Sequence, residues 1–149
     1  MRLEDELKTS RFMDDVHKAQ LNILFSAAWL RARLSASLKP LGLTLEQFNV
    51  MRIVRGHHPE GILIKEITSR MLERNSNTTR ILDRLEAKHL VTRTILPHDR
   101  RERLIMLTEA GIEQLLAVDR SWQKNNPHTA PWTPEEAQLV HQLLDKMRE

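Results

Sequence analysis

Apolar positions along this chain keep a spacing of three and four over most of its length and switch to alternation once. Leu21, Leu24, Phe25, Ala28, Trp29 and Ala32 fall on one face of a helix over residues 11–38. The segment exceeds the average globular helix of about 11–12 residues, which predicts that part of it packs on something beyond its own domain. Pro40 and Gly42 end it. Thr44-Leu45-Glu46-Gln47 is a capping box, in which the Thr44 hydroxyl can accept from the Gln47 backbone N–H. The helix it opens turns Phe48, Met51, Ile53 and Val54 inward and stops in the Gly/His/Pro segment 55–61. Ile62-Leu63-Ile64 reads as a short edge strand that pairs with a later hairpin. Two helices follow across a tight turn: 65–72, with Ile67, Met71 and Leu72 apolar, and a second from an N-cap at Ser76 to Lys88, burying Ile81, Leu82, Leu85 and Leu90.

The alternation comes next. Residues 91–96 and 103–107 are rich in β-formers and are separated by a charged turn, Pro97-His98-Asp99-Arg100-Arg101-Glu102. Thr108-Glu109 caps a further helix carrying Ile112, Leu115, Leu116, Val118 and Trp122, in which Gly111 is expected to cost about 1 kcal/mol against Ala. After a stretch with three prolines, 123–134, a second box at Thr133-Pro134-Glu135-Glu136 starts a last helix with the stripe Leu139, Val140, Leu143, Leu144 and Met147. The order predicts a mainly α fold with a small antiparallel β wing (α+β), a winged helix-turn-helix over residues 44–108. The flanking segments 11–42 and 109–149 are expected to be dimerisation helices within a single domain, 1–149. Pairing the last stripe with the 11–38 helix of a second copy is economical; a cover from the same chain is the alternative.

Charge sharpens this picture. The net charge of +3 is unevenly placed: between Arg70 and Arg103 nine basic residues face five acidic ones, so this segment carries +4 and the remainder −1. Concentrated positive charge suits a polyanion, and a merely solvated face is the competing explanation. With no cysteine, disulfides, thiolate metal sites and thiol redox sensing are excluded. No apolar run approaches the ~20 residues of a membrane span, and the first residues lack the apolar core of a signal peptide, so a cytoplasmic protein without membrane contact is expected. His57 and His58 are adjacent on a Pro/Gly loop rather than four apart on a helix, and no metal or other cofactor is expected. No nucleophile–base pair, phosphate loop or metal cluster is evident, which argues against an enzyme.

The helix after the turn has the makings of a DNA reader. A recognition helix enters the major groove N-terminus first, so short polar and bidentate side chains belong there. Ser76, Asn77, Thr78, Thr79 and Arg80 occupy that position, with Arg84 one turn on to grip a phosphate or a guanine. At the wing, Arg100 and Arg101 can place a guanidinium in the minor groove, with Asp99 orienting Arg101 through a charge-assisted hydrogen bond. A plain surface helix followed by a polar hairpin is the alternative, as is a winged-helix protein-interaction module without specific DNA reading.

The run Arg80-Ile-Leu-Asp-Arg-Leu-Glu-Ala-Lys88, then Leu90-Val91, Arg93, Asp99-Arg100-Arg101 and Leu107-Thr-Glu-Ala-Gly111, resembles the MarR family of bacterial transcriptional regulators. Leu43-Thr44-Leu45-Glu46-Gln47-Phe48 resembles that family's second helix. The resemblance implies a homodimer of winged-helix subunits with interlocked terminal helices, binding double-stranded DNA at a pseudo-palindromic operator, usually as a repressor. It also implies release by a small lipophilic or phenolic effector in a cleft between lobes, for which Trp29, Phe48 and Met51 are the candidate lining. Carried onto this sequence, residues 76–80 meet bases, Arg84 a phosphate, and Asp99 with Arg101 forms the wing pair. The chain departs from the family pattern twice, with Leu72 in the helix-turn-helix turn and His89 after the recognition helix, where many members have Gly. Its lack of cysteine excludes the peroxide-sensing branch.

Overall fold

Nearly every long helix begins where a short polar side chain can take up a free backbone N–H. Asp14 accepts from His17 N at 2.7 Å, Thr44 from Gln47 N at 3.2 Å, Asn77 from Arg80 N at 3.0 Å, Thr108 from Gly111 N at 2.9 Å and Thr133 from Glu136 N at 3.3 Å. At residues 44 and 133 the box is reciprocal, with Gln47 and Glu136 reaching back to the cap's own N–H. The computed structural model describes residues 1–73, 77–96, 99–127 and 130–149, and of 99–101 the backbone alone. The elements are α1 (Leu3–Leu7), α2 (Asp15–Leu38), a 3₁₀ turn (Lys39–Leu41), α3 (Leu45–Arg55), β1 (Ile62–Leu63) and α4 (Ile64–Arg70). They continue with α5 (Thr78–Ala87), β2 (Val91–Leu96), β3 (Asp99–Leu107), α6 (Glu109–Asn125) and α7 (Pro134–Lys146).

The three strands form an antiparallel sheet in the order β1-β3-β2, with β1 at the edge as expected. Ile62 faces Ile105 and Val91 faces Leu107, so the apolar ends of all three strands close over the helices. Strand β3 begins earlier than the apolar run suggests. Residues Asp99–Glu102, read as turn, belong to the strand, and pairing extends to Leu96 opposite Asp99 after an irregularity at Ile95/Leu96. Ladder hydrogen bonds join backbone to backbone, so a charged side chain does not stop them.

Leu38, Met51, Ile67, Leu82, Leu85 and Leu115 are fully buried and draw α2's end, α3, α4, α5 and α6 around one core. Trp122 of α6 meets Phe48 edge-on with centroids 4.8 Å apart, and its indole N–H donates to Ser37 Oγ at 3.0 Å. Gly111 is where α6 comes closest: a Cβ there would lie 2.1 Å from the Leu90 carbonyl oxygen. The expected penalty for glycine in this helix is thus offset by an approach that alanine could not make. His89, with φ +57, takes the left-handed position after α5 that glycine usually fills. Its carbonyl accepts from Thr108 Oγ1 at 2.7 Å, tying the corner to the start of α6.

Outside this core the picture changes. Leu38 is the one fully buried residue of α2, and α7 has none among its described residues. Leu24, Trp29 and Leu30 on α2, Leu139 and Leu143 on α7, and Met147 at its C-cap are all exposed. No helix among the described residues is long and apolar enough to cross a membrane.

Candidate nucleic-acid interface

Helix α5 opens at Thr78, later than predicted. Asn77 is its cap, and Ser76, predicted for that place, lies outside the described residues. Thr78 is also displaced from its predicted role. One turn before Leu82 and two before Leu85, it shares their inward face and is only 4% exposed, so its side chain does not reach the surface. Asn77, Thr79, Arg80 and Arg84 remain exposed. Asn77, Arg80, Ile81 and Arg84 line one wall of a groove of about 280 Å³, and Thr44, Glu46 and Gln47 at the start of α3 line the other. Two guanidiniums in a solvent-open groove can engage an anion, while the Asn77 amide oxygen is committed to the helix cap. Asp99, Arg100 and Arg101 stand in the first residues of β3, and their side chains, with the predicted Asp99–Arg101 bond, lie outside the described residues, as do residues 97 and 98 of the tip.

Three basic side chains hold α5 in place. The Lys88 ammonium donates to the Gly42 carbonyl at 2.6 Å and to Gln47 Oε1 at 3.2 Å, pinning the end of α5 to the α2–α3 corner. Arg31 on α2 pairs with Glu46 at 3.0 Å and also with Glu73 in the segment leading to α5. Burial is the largest influence on the Glu46 carboxyl and pushes its pKa up. Its backbone hydrogen bond, the Thr44 hydroxyl and Arg31 pull the other way and together hold it below the ordinary value of 4.5. Arg93 on β2 reaches Asp83 at 2.5 Å, Glu86 at 3.1 Å and the Thr79 carbonyl at 3.3 Å.

Of the predicted effector residues, Phe48 and Met51 share the buried core, whereas Trp29 stands outside it, 42% exposed with the Arg33 guanidinium 5.4 Å from its ring centroid. Neither the groove beside α5 nor a void of about 30 Å³ next to Arg31 is lined by any of the three. Helical spacing marks an inward face without distinguishing close packing from a cavity wall. His57 is likewise engaged: Nδ1–H donates to the Ile53 carbonyl at 3.0 Å, which leaves Nε2 to accept from Arg70 at 2.6 Å. No group of three metal-ligating side chains occurs among the described residues.

The MarR family model matches residues 43–102, from the start of the α3 cap into strand β3 of the wing. Residues 43–102 are a MarR-family domain. Solved MarR-family structures extend the likeness over most of the chain. A cysteine-to-serine mutant of MarR from E. coli, complexed with operator DNA, is 26% identical, with a TM-score of 0.79 over 93% of this chain and 99% of that one. A MarR transcription factor from Planctomyces limnophilus is 27% identical, with a TM-score of 0.64 over 93% and 98%. CouR from Rhodococcus jostii RHA1, bound to p-coumaroyl-CoA, shares the fold at 21% identity, with a TM-score of 0.71 over 92% and 94%. The MarR resemblance and the expected fold class, helical with a small antiparallel wing, are both borne out. The MarR family is one of transcription regulators.

Proposed function

We propose that this chain is a sequence-specific, DNA-binding transcription regulator that acts as a homodimer on a pseudo-palindromic operator, as a repressor. The observation that carries the reading is the surface of α5, where Thr79, Arg80 and Arg84 stand exposed on a capped helix directly beside the hairpin. A helix N-terminus with short polar and bidentate side chains fits the major groove, and its free N–H groups favour phosphate. The relatives lend support: the E. coli MarR mutant was solved with operator DNA and CouR with a 23-mer duplex. Arg100 and Arg101 of the wing enter through the family resemblance, Arg101 reaching the minor groove and Asp99 orienting it.

Dimerisation would use α2 with α6 and α7. The exposed stripe Leu139, Leu143 and Met147 and the exposed Leu24 and Leu30 are apolar surfaces of the kind subunits cover for one another. A small lipophilic or phenolic effector that releases DNA is part of the same proposal; the p-coumaroyl-CoA complex of CouR is the parallel.

Selection of bound duplexes from a random fragment library at two salt concentrations tests the reading. The expected result is an enriched inverted repeat with half-site centres roughly one helical turn apart. With about eight phosphates neutralised per dimer, the log–log salt slope should lie near −7. Arg101→Ala should weaken specific binding by about 1–3 kcal/mol. Equal affinity for every duplex without salt dependence would overturn DNA reading and favour a protein-interaction module.

A further inference from the structure

Strand β2 alternates Val91, Arg93 and Ile95 on one face, and Arg93 sits opposite Ile105, which is fully buried. An arginine therefore occupies a register position that points toward the helices rather than into solvent. Its side chain is 18% exposed and meets α5 along one flank: the Thr79 carbonyl, Asp83 and Glu86, spaced four and three apart. The contact to Glu86 at 3.1 Å is a close ion pair without the alignment of a hydrogen bond. A single guanidinium thus bridges the stem of the wing and the whole middle of the recognition helix.

The geometry points to Arg93 as a positioning residue that fixes the angle between the recognition helix and the wing, and so couples major-groove to minor-groove reading. This rests on the DNA-binding reading above. A guanidinium suits the task because its planar fork holds several acceptors at once, whereas an ammonium is a point charge. The same contact masks two carboxylates on a helix that must approach phosphates. Asp83 is 59% exposed on its own side chain and Glu86 46%, so without Arg93 both would repel the DNA backbone.

The masking and positioning roles make opposite predictions for Asp83→Asn. Removing a negative charge from the DNA-facing helix should, by charge alone, tighten binding to all duplexes alike. Positioning instead predicts that Asp83→Asn loses protection of the flanking minor grooves in a hydroxyl-radical footprint. The ratio of specific to random-duplex affinity should then fall about tenfold, the size of couplings within one ion-pair network. Arg93→Gln should lose the same flanking protection while the central major-groove protection persists, and Arg93→Lys should restore it in part. The full-length protein and a duplex enriched by selection are the materials, and Asp83→Asn decides the matter if Arg93→Gln fails to fold. Uniform tightening with an unchanged footprint in Asp83→Asn overturns the coupling while leaving DNA reading intact. If the unsubstituted protein enriches no sequence, DNA reading fails and the coupling with it.

Discussion

Helices α3 and α7 start with the same device and end in opposite surroundings. Each is opened by a threonine whose hydroxyl takes the N–H three residues on, while a Gln or Glu at that residue returns the bond. Of the eleven residues of α3, six are buried, including Phe48, Val50, Met51 and Val54; of the thirteen of α7, none is. The cap sets where a helix begins and says nothing about what will cover it. Burial is decided by neighbours: α3 is met by α2, α4, α5, α6 and β3, whereas the apolar stripe of α7 has no comparable cover within the described chain. The difference separates a lobe whose apolar face is covered within one subunit from helices whose apolar surface is left exposed, the surface the proposed dimer would cover.

Core truncation should divide the two regions most sharply. Met51→Ala in α3 is expected to cost about 2–5 kcal/mol in chemical denaturation, whatever the protein concentration. Gly111→Ala comes next, at about 1–3 kcal/mol, because a methyl group would press on the Leu90 carbonyl and the backbone has no rotamer with which to yield. A cost near zero there would mean that α6 can slide away from the α5–β2 corner. Thr44→Ala and Thr133→Ala should each cost about 1 kcal/mol through the lost cap, and would be told apart by which helix frays in amide exchange. Leu143→Ala should change the stability of an isolated subunit by less than about 0.5 kcal/mol, yet lower the melting temperature of the proposed dimer in a concentration-dependent way. Equal loss at all concentrations would show that α7 is covered by its own chain.

The smallest effect concerns acid. A carboxyl whose pKa is depressed on folding stabilises the protein fully above its unfolded value, and that stabilisation is lost as pH falls through the folded value. For Glu46 the window therefore lies below the ordinary 4.5. Native protein should exceed Glu46→Gln in stability at neutral pH, and the gap should close in acid as the Arg31 tie is neutralised. A gap that is constant down to acid pH would remove Glu46 from the link between α2 and the start of α3.

The parts of the fold governed by near neighbours along the chain are legible in the residues alone. Caps at Thr44, Thr108 and Thr133, the hairpin, and the left-handed corner at His89 all follow from local chemistry. Sequence and structure part where position depends on distant groups. Ser76 and Asn77 are both good caps by composition, and the cap at Asn77 starts the helix one residue later than expected, while Thr78 lies inward through its spacing from Leu82 and Leu85. Phe48 and Met51 are core because α6 supplies Trp122 and its neighbours, which periodicity along α3 cannot reveal. Arg93 reads in the sequence as one more charge. The clue is its place between Val91 and Ile95, where alternation calls for an apolar residue and an arginine must find acceptors.

The meeting of Gly111 with Leu90 has a mechanical consequence. Most contacts between helices are cushioned by side chains that can change rotamer, so a small displacement of one helix is absorbed before it reaches the next. Where backbone bears on backbone there is no such slack, and the joint behaves as a gear tooth: a rotation of α6 must appear, nearly undiminished, at the corner that joins the recognition helix to the wing. In the proposed dimer, whatever changes the angle between subunits would therefore be read out at the DNA as a change in the pitch of the two heads.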